Sequence, residues 1–176
     1  MSSQNATMSC ATLVAICKVL PADRAVLVRG DHGIGKSAII GRALAAFFKL
    51  RLLDFRLGQR TPGDIIGMPD LSNGTTVFRP PAELLQATKE PCLLFCDEMN
   101  RATDEVLQTI FQIALDRKPP DGTPLHPQTR VYAAINAAAV YTITRLDPAL
   151  LDRFFISDLI IDATEWLVWA RGEGNI

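Results

Sequence analysis

The stretch that decides the fold of this chain is Gly30-Asp31-His32-Gly33-Ile34-Gly35-Lys36-Ser37. It fits G-x-x-x-x-G-K-[ST], the pattern of a loop that binds the phosphates of a nucleoside triphosphate. Glycines in such a loop let the backbone turn tightly and bring its N–H groups close to an anion. Lys36 is predicted to place its charge between the β- and γ-phosphates, and Ser37 to offer a hydroxyl to Mg²⁺.

The flanking sequence predicts a strand, a loop and a helix, which is the context that this pattern requires. Residues 25–28 are a short apolar run, typical of a buried strand. Residues 36–49 carry apolar side chains at helical spacing, so the positive end of a helix dipole is expected to face the same anion. We expect ATP to be held by Gly30, Asp31, His32, Gly33, Ile34, Gly35, Lys36, Ser37 and Ala38.

The rest of the chain alternates predicted strands and helices. The predicted strands are residues 25–28, 51–57, 91–97, 131–135 and 155–161. The predicted helices are residues 10–20, 36–49, 81–88, 102–116, 148–151 and 163–170. Turn-rich sequence at 61–67, Asn73-Gly74 and Asp121-Gly122 predicts two inserted hairpins, the second over residues 119–128. This alternation predicts a parallel sheet covered on both faces, with ligands at the carboxyl ends of its strands.

Polar residues follow two of the predicted strands at their carboxyl ends. Asp97 is predicted to hold Mg²⁺, directly or through water, and Glu98 to polarise a water toward the γ-phosphate. The alternative for Glu98 is a solvated surface acid. Asn136 is expected to orient the attacking water or contact the γ-phosphate, the alternative being a turn-forming asparagine.

Arg153 follows a predicted short helix and precedes the last predicted strand. From its position alone it is a ligand of its own subunit's nucleotide, a member of a structural ion pair, or an arginine finger that reaches into a neighbouring subunit. The residues themselves leave these three roles open.

Bulk properties exclude several classes of function. The 176 residues suit one domain, and 48% hydrophobic with 21% charged residues is an ordinary globular balance. The net charge of −1 makes nucleic acid an improbable partner. No apolar run approaches ~20 residues, and we expect neither a membrane span nor a signal peptide. The four cysteines lack metal-type spacing and predict free thiols in a reducing cytoplasm.

Several strings together resemble the ATPase core of the AAA+ superfamily. These are the phosphate loop, Asp97-Glu98-Met99-Asn100-Arg101-Ala102, Asn136, and residues 147–154 with their L-D-R-F ending. The combination is similar to the MoxR-like, dynein-related branch and covers roughly residues 10–170. The resemblance implies a P-loop NTPase fold, a three-layer αβα sandwich around a parallel sheet with hairpin inserts. It also implies that residues 1–176 are one large ATPase subdomain.

The resemblance assigns further roles. Asn136 matches sensor 1, and Arg153 matches the arginine finger, for which Arg145 is less well placed. Arg101 is expected near a subunit interface, or else is a surface charge at a helix start. The family usually has proline soon after the sensor asparagine, where this chain has alanines at 137–139. Residues 163–176 look like the passage to a helical lid, which we expect to be missing or truncated in a chain that ends at Ile176.

The implied function is an ATP-hydrolysing, chaperone-like remodelling motor. Relatives act as rings, usually hexamers, often with a von Willebrand A-type partner. Two other functions remain open: a nucleotide-gated assembly switch with little turnover, and a nucleic-acid motor. The near-neutral charge weighs against the motor on nucleic acid, although a hairpin can contact DNA without a basic tract.

Overall fold

The computed structural model describes residues 6–72, 74–136 and 154–160, together with residues 162, 164, 167 and 171. Its strands are β1 (Ala6–Met8), β2 (Val26–Gly30), β3 (Arg51–Arg56), β4 (Met68–Asp70), β5 (Val77–Arg79), β6 (Cys92–Asp97), β7 (Arg130–Asn136) and β8 (Phe155–Leu159). Its helices are α1 (Cys10–Val19), α2, α3 (Pro62–Ile66), α4 (Ala82–Lys89) and α5 (Asp104–Asp116). Helix α2 is a π-helix over Ser37–Leu44 and an α-helix over Ala45–Phe48. Short 3₁₀ turns lie at Leu57–Gln59 and Met99–Arg101.

Six strands form one parallel sheet in the order β1-β8-β2-β7-β6-β3. All six carboxyl ends therefore lie at one edge. The register pairs Gly30 on β2 with Asn136 on β7, and Arg56 on β3 with Asp97 on β6. The residues that follow these strand ends are thus brought together by the sheet, as the alternating pattern predicts.

A hydrophobic core lies on each face of the sheet. Val26 and Val28 point into the core beneath α1 and α2, while Ala25 and Leu27 point into the core beneath α3, α4 and α5. This alternation follows from the two-residue period of a strand buried on both sides. The predicted three-layer αβα arrangement of a P-loop NTPase is confirmed.

The first predicted hairpin forms and the second does not. Strands β4 and β5 pair antiparallel, with Met68 opposite Arg79, and residues 71–76 connect them. The prediction of a hairpin at 119–128 is wrong, because the structure has no strand there. Proline has no N–H for a strand ladder, which explains the failure. Prolines in this stretch occupy positions 119, 120, 124 and 127.

Two elements were not predicted from the sequence. Strand β1 has three residues, which is too short for a recognisable sequence pattern, and among the described strands it pairs with β8. Helix α3 lies in the stretch interpreted as turn-rich. It begins with a capping box in which Thr61 and Asp64 satisfy each other's backbone N–H groups, and Pro62 occupies its first turn.

Some predictions fall outside the described residues. The predicted helix at 148–151 does so entirely, and so do Arg145 and Arg153. Of the predicted helix at 163–170, the structure describes only Thr164 and Leu167, both in helical conformation. Within the described part of the chain, no helix combines the length and apolar character needed to cross a bilayer.

Candidate functional site

The loop between β2 and α2 has the backbone that its glycines predict. Gly33 and Gly35 have φ angles of 82° and 85°, in the left-handed region where other residues are strained. Gly30 is required for a different reason. A Cβ there would lie 2.3 Å from Ile34 Cδ1 and 3.1 Å from the Leu159 carbonyl oxygen. The glycines therefore serve both the turn itself and its close packing against β8.

The Lys36 side chain folds back over this loop. Its Nζ donates to the carbonyl oxygens of Gly30 and Asp31, both at 2.7 Å. Partial burial lowers the pKa of Lys36, while the nearby charges of Asp97 and Asp31 raise it. A partly desolvated ammonium beside a cavity is well suited to binding an anion, because a phosphate would restore the interactions that burial removes.

Ser37 and Asp97 meet at the start of α2. The Ser37 hydroxyl donates to Asp97 Oδ2 at 2.6 Å, across 60 positions of sequence. Asp97 Oδ1 accepts from the Glu98 backbone N–H at 2.8 Å. Hydroxyl and carboxylate oxygens are the donors that Mg²⁺ prefers, so these two predicted metal ligands are placed where one ion could contact both. Among the described residues there is no cluster of three or more His, Cys, Asp or Glu side chains suited to a metal. Mg²⁺ commonly takes one or two protein ligands and fills the rest with water and phosphate oxygens.

Glu98 follows Asp97 in a left-handed conformation, with φ 53° and ψ 36°. Its carboxylate pairs with Arg101, with Oε1 and Nη1 3.2 Å apart. The two adjacent acids therefore face different partners, as expected for residues with different roles. The Arg101 contact was not predicted from the sequence.

Asn136 ends β7 next to Gly30 in the sheet register. Its backbone N–H donates to Asn100 Oδ1 at 3.2 Å. Asn100 belongs to the short turn after Glu98, so this bond joins that turn to the strand that carries Asn136.

A cavity of about 340 Å³ joins these residues. Its wall is formed by His32, Gly33, Gly35, Lys36, Ser37, Ala38, Arg56, Asp97, Glu98, Asn100, Arg101, Ile135 and Asn136. Gly30, Asp31 and Ile34, also predicted to hold ATP, belong to the same loop but are not among the residues that line the cavity. Arg153 lies outside the described residues, so the structure does not place it.

Two residues of the site, Arg56 and Asn100, were not predicted from the sequence. Both residues nevertheless line the cavity. The available signal for Arg56 was its position, because a residue at the end of β3 lies beside Asp97 if β3 and β6 are neighbours.

The fold and the site together define a P-loop NTPase domain, since a phosphate loop at the carboxyl edge of a parallel sheet adjoins an acidic strand end. The profile of the AAA domain (dynein-related subfamily) matches residues 25–154. The chain belongs to this family, and the expectation of an AAA+ fold is confirmed. The finer assignment to the MoxR-like branch stays a prediction.

A curated relative is midasin of Giardia intestinalis, 34% identical over 104 residues, which are 58% of this chain and 2% of that protein. Among solved structures, the closed state of Hsp104 with ATPγS and FITC-casein matches with a TM-score of 0.61 at 14% identity. That match covers 92% of this chain and 34% of the Hsp104 chain. NtrX from Brucella abortus matches with a TM-score of 0.56 at 17% identity, covering 93% of this chain and 38% of NtrX. At such identities the structural matches show the fold alone, and this chain spans only a small part of each relative.

Proposed function

We propose that this chain binds ATP with Mg²⁺ and hydrolyses it, as the ATPase domain of an oligomeric remodelling motor of the MoxR type. The observation that carries the proposal is the 2.6 Å contact between Ser37 and Asp97 beside the Lys36 ammonium. Two oxygen atoms and one cation lie together at the N-terminus of α2, and this supports the binding of a nucleotide phosphate with its metal.

The binding residues act in concert on the phosphates. Lys36 exchanges its two loop carbonyls for phosphate oxygens, and the glycine-rich backbone presents its N–H groups to the same anion. Ser37 and Asp97 would hold the metal through their side-chain oxygens. Bound Mg²⁺ would neutralise charge on the β- and γ-phosphates as the terminal bond breaks.

Glu98 is the proposed general base for the attacking water. Its carboxylate lines the cavity wall and follows directly after the proposed metal ligand. Asn136, on the neighbouring strand, is proposed to orient the same water or contact the γ-phosphate. A base on one strand end and an amide on the next can approach one water from two directions.

The proposed assembly is a ring, as a hexamer, in which Arg153 completes the neighbour's site. The support is its L-D-R-F setting, which matches the family's finger. A guanidinium supplied in trans is worth about 10³–10⁵ in rate in well-studied NTPases. We therefore expect a nearly inactive monomer whose specific activity rises with protein concentration.

Mixing two inactive variants tests this assembly. Arg153→Ala and Glu98→Gln should each bind ATP and fail to hydrolyse it. Mixed rings should regain activity, because some interfaces pair an intact Glu98 with an intact Arg153. No recovery, with assembly confirmed by light scattering, would show that Arg153 acts in its own subunit or only structurally.

The substrate is proposed to be a macromolecular complex that the ring remodels, with a von Willebrand A-type protein as a possible adaptor. The similarity to part of midasin supports a remodelling motor of the AAA type. Turnover in the parent separates this motor from an assembly switch, which would bind ATP without hydrolysing it. Salt-dependent DNA binding would instead favour a nucleic-acid motor.

The four free thiols support a reducing location, proposed to be the cytoplasm.

A further inference from the structure

The helices on the two faces of the central sheet carry opposite charge. Among the described helices, α1 and α2 cover one face, and neither contains an aspartate or a glutamate. The flanking sequence extends this pattern, because residues 1–22 and 32–53 lack acids altogether. Helices α3, α4 and α5 cover the other face and contain one lysine and five acids: Asp64, Glu83, Asp104, Glu105 and Asp116. The net charge of −1 therefore conceals a cationic side and an acidic side.

Exposed apolar side chains lie on the cationic side, where α1 and α2 end. Val19, the last residue of α1, is 81% exposed, and Phe47, in the last turn of α2, is 52% exposed. Lys18 connects the two helix ends, because its Nζ lies 4.5 Å from the centre of the Phe47 ring. One exposed apolar residue is ordinary on a protein surface, but two of them beside a shared cation favour a surface that binds another molecule.

The aromatic rings of this surface are held in place by other groups. The Phe47 and Phe48 rings meet edge to face, with their centres 5.0 Å apart. The Arg130 Cζ lies 3.8 Å from the centre of the Phe48 ring, and its Nη1 donates to the Leu20 carbonyl at 3.0 Å. Lys49, which is exposed, follows α2 in a left-handed conformation. Because these contacts order the rings in advance, a ligand loses little affinity to ordering them.

We propose that this surface binds an acidic segment of a partner protein that also carries aromatic or aliphatic side chains. The surface is named the cationic patch, and it consists of Lys18, Val19, Phe47, Phe48, Lys49 and Arg130. Its cations complement carboxylates, and its exposed apolar side chains complement apolar ones. The patch is separate from the proposed nucleotide site, because it lies at the amino ends of the strands and the phosphate loop lies at their carboxyl ends.

Nucleic acid is another polyanion that a cationic surface attracts, but the composition of the patch favours protein. Binding to a phosphate backbone takes its affinity from many cations in a row. The patch has three cations, and two of them lie over phenylalanine rings. Three cations are few for a row of phosphates, whereas a few carboxylates next to an apolar side chain match both components of the patch.

A designed peptide tests the patch without requiring nucleotide. The probe is a short fluorescent peptide in which pairs of aspartates alternate with single phenylalanines, and fluorescence anisotropy measures its Kd for the full chain. The parent should bind this peptide. A second peptide, with serine in place of each phenylalanine, should bind about tenfold more weakly, because buried aromatic rings contribute much of the affinity at such surfaces. Equal affinity for both peptides would show attraction by charge alone and would overturn the proposal.

Substitutions locate the binding site on the chain. Lys18→Glu and Lys49→Glu should each raise the Kd of the phenylalanine peptide about fivefold, since an attraction becomes a repulsion. Phe47→Ser should raise it about tenfold through the loss of apolar contact. The matched controls are Lys89→Glu at the end of α4 and Phe78→Ser on β5, which change an exposed lysine and an exposed phenylalanine outside the patch. Both controls should keep the parent's Kd.

Circular dichroism and urea denaturation establish that each variant is folded. Failure of the parent to bind the phenylalanine peptide, or equal weakening in the patch and control variants, would overturn the proposal. Single-stranded DNA that displaces the peptide and loses affinity in the same patch variants would assign the patch to nucleic acid instead.

Light scattering tests a second copy of this chain as the occupant. A mass that rises with concentration in the parent but not in Lys18→Glu would assign the patch to contacts between copies, and this would also overturn the proposal. The proposed function stands or falls separately, because none of these measurements involves ATP.

Discussion

The two ends of the parallel sheet both carry a half-buried cation, and the two cations have different kinds of partner. At the amino ends of the strands, the Arg117 guanidinium donates to the carbonyls of Ala22, His126 and Thr129 at 3.2, 3.0 and 2.7 Å. At the carboxyl ends, Lys36 donates to two carbonyls of its own loop. Arg117 connects segments that are far apart in sequence, whereas these hydrogen bonds of Lys36 go to residues of its own loop.

The difference is what we expect if Arg117 stabilises the fold and Lys36 has the proposed binding role. Thr129, fully buried beside Arg117, extends the same network: its hydroxyl donates to the Ala87 carbonyl at 3.0 Å and accepts from the Cys92 N–H at 3.2 Å. Removing the Arg117 guanidinium takes a charged donor away from three part-buried carbonyls. Lys36 faces the 340 Å³ cavity and can exchange its local partners for a ligand. Function is expected where cationic hydrogen bonds can be exchanged, and stability where they cannot.

The largest expected effect is at the carboxyl end, on turnover. Glu98→Gln keeps the size of the side chain and removes its basicity, so kcat should fall by about 10²–10⁴ while ATP still binds. Steady-state phosphate release measures this. Glu105→Gln, an exposed acid on α5, is the control and should keep the parent rate. Equal rates in both variants would reduce Glu98 to a surface acid.

Lys36→Ala tests whether the lysine of the phosphate loop binds ATP. Losing the cation beside the phosphates should weaken ATP binding by about 2–4 kcal/mol, the range for truncating one member of a buried charge pair. Calorimetry measures the ATP affinity, and Lys89→Ala, which removes an exposed lysine at the end of α4, is the matched control. An ATP affinity equal to the parent's would remove Lys36 from the site.

Arg117→Met tests the structural side. We expect the free energy of unfolding to fall by about 1.5–3 kcal/mol, because carbonyls of several loops lose a charged donor. Urea denaturation measures the loss, with Arg24→Met as control. The ATP affinity of the folded variant should equal the parent's. Weaker ATP binding with an unchanged free energy of unfolding would contradict a structural role for Arg117.

The smallest expected effect concerns the thiols buried in the sheet and beneath it. Burial raises the pKa of Cys17 to about 11 and that of Cys96 to about 12. An aromatic disulfide reagent at neutral pH should therefore modify half-buried Cys10 well before either of them. In the unfolded chain these thiols ionise near 9.0. The unfolded state then binds fewer protons than the native state, so stability should decline as pH rises above about 9. Rapid modification of all thiols in the folded protein would contradict this.

Much of the site could be predicted from the sequence because its parts are local. The phosphate loop needs particular dihedrals at Gly33 and Gly35, and glycine supplies them at these positions. The strand before Asp97 is a continuous apolar run, so its carboxyl end could be located from the sequence. The hairpin at 68–79 carried a turn signal, whereas the predicted one at 119–128 failed because its prolines outweighed Asp121-Gly122.

The sequence by itself determined the class of ligand, the alternation of strands and helices, and the strand ends at which polar residues would gather. Local backbone chemistry and hydrophobic periodicity are enough for these. Only the tertiary structure decided the strand order. That order puts Arg56 beside Asp97, pairs Arg29 with Asp158 across 129 positions, and closes the carbonyl network around Arg117. It also brings Arg101 into an ion pair with Glu98, and both side chains lie close to Gly58. The physical reason is that such contacts depend on which segments become neighbours, and pairing between distant segments leaves no periodic mark in either one.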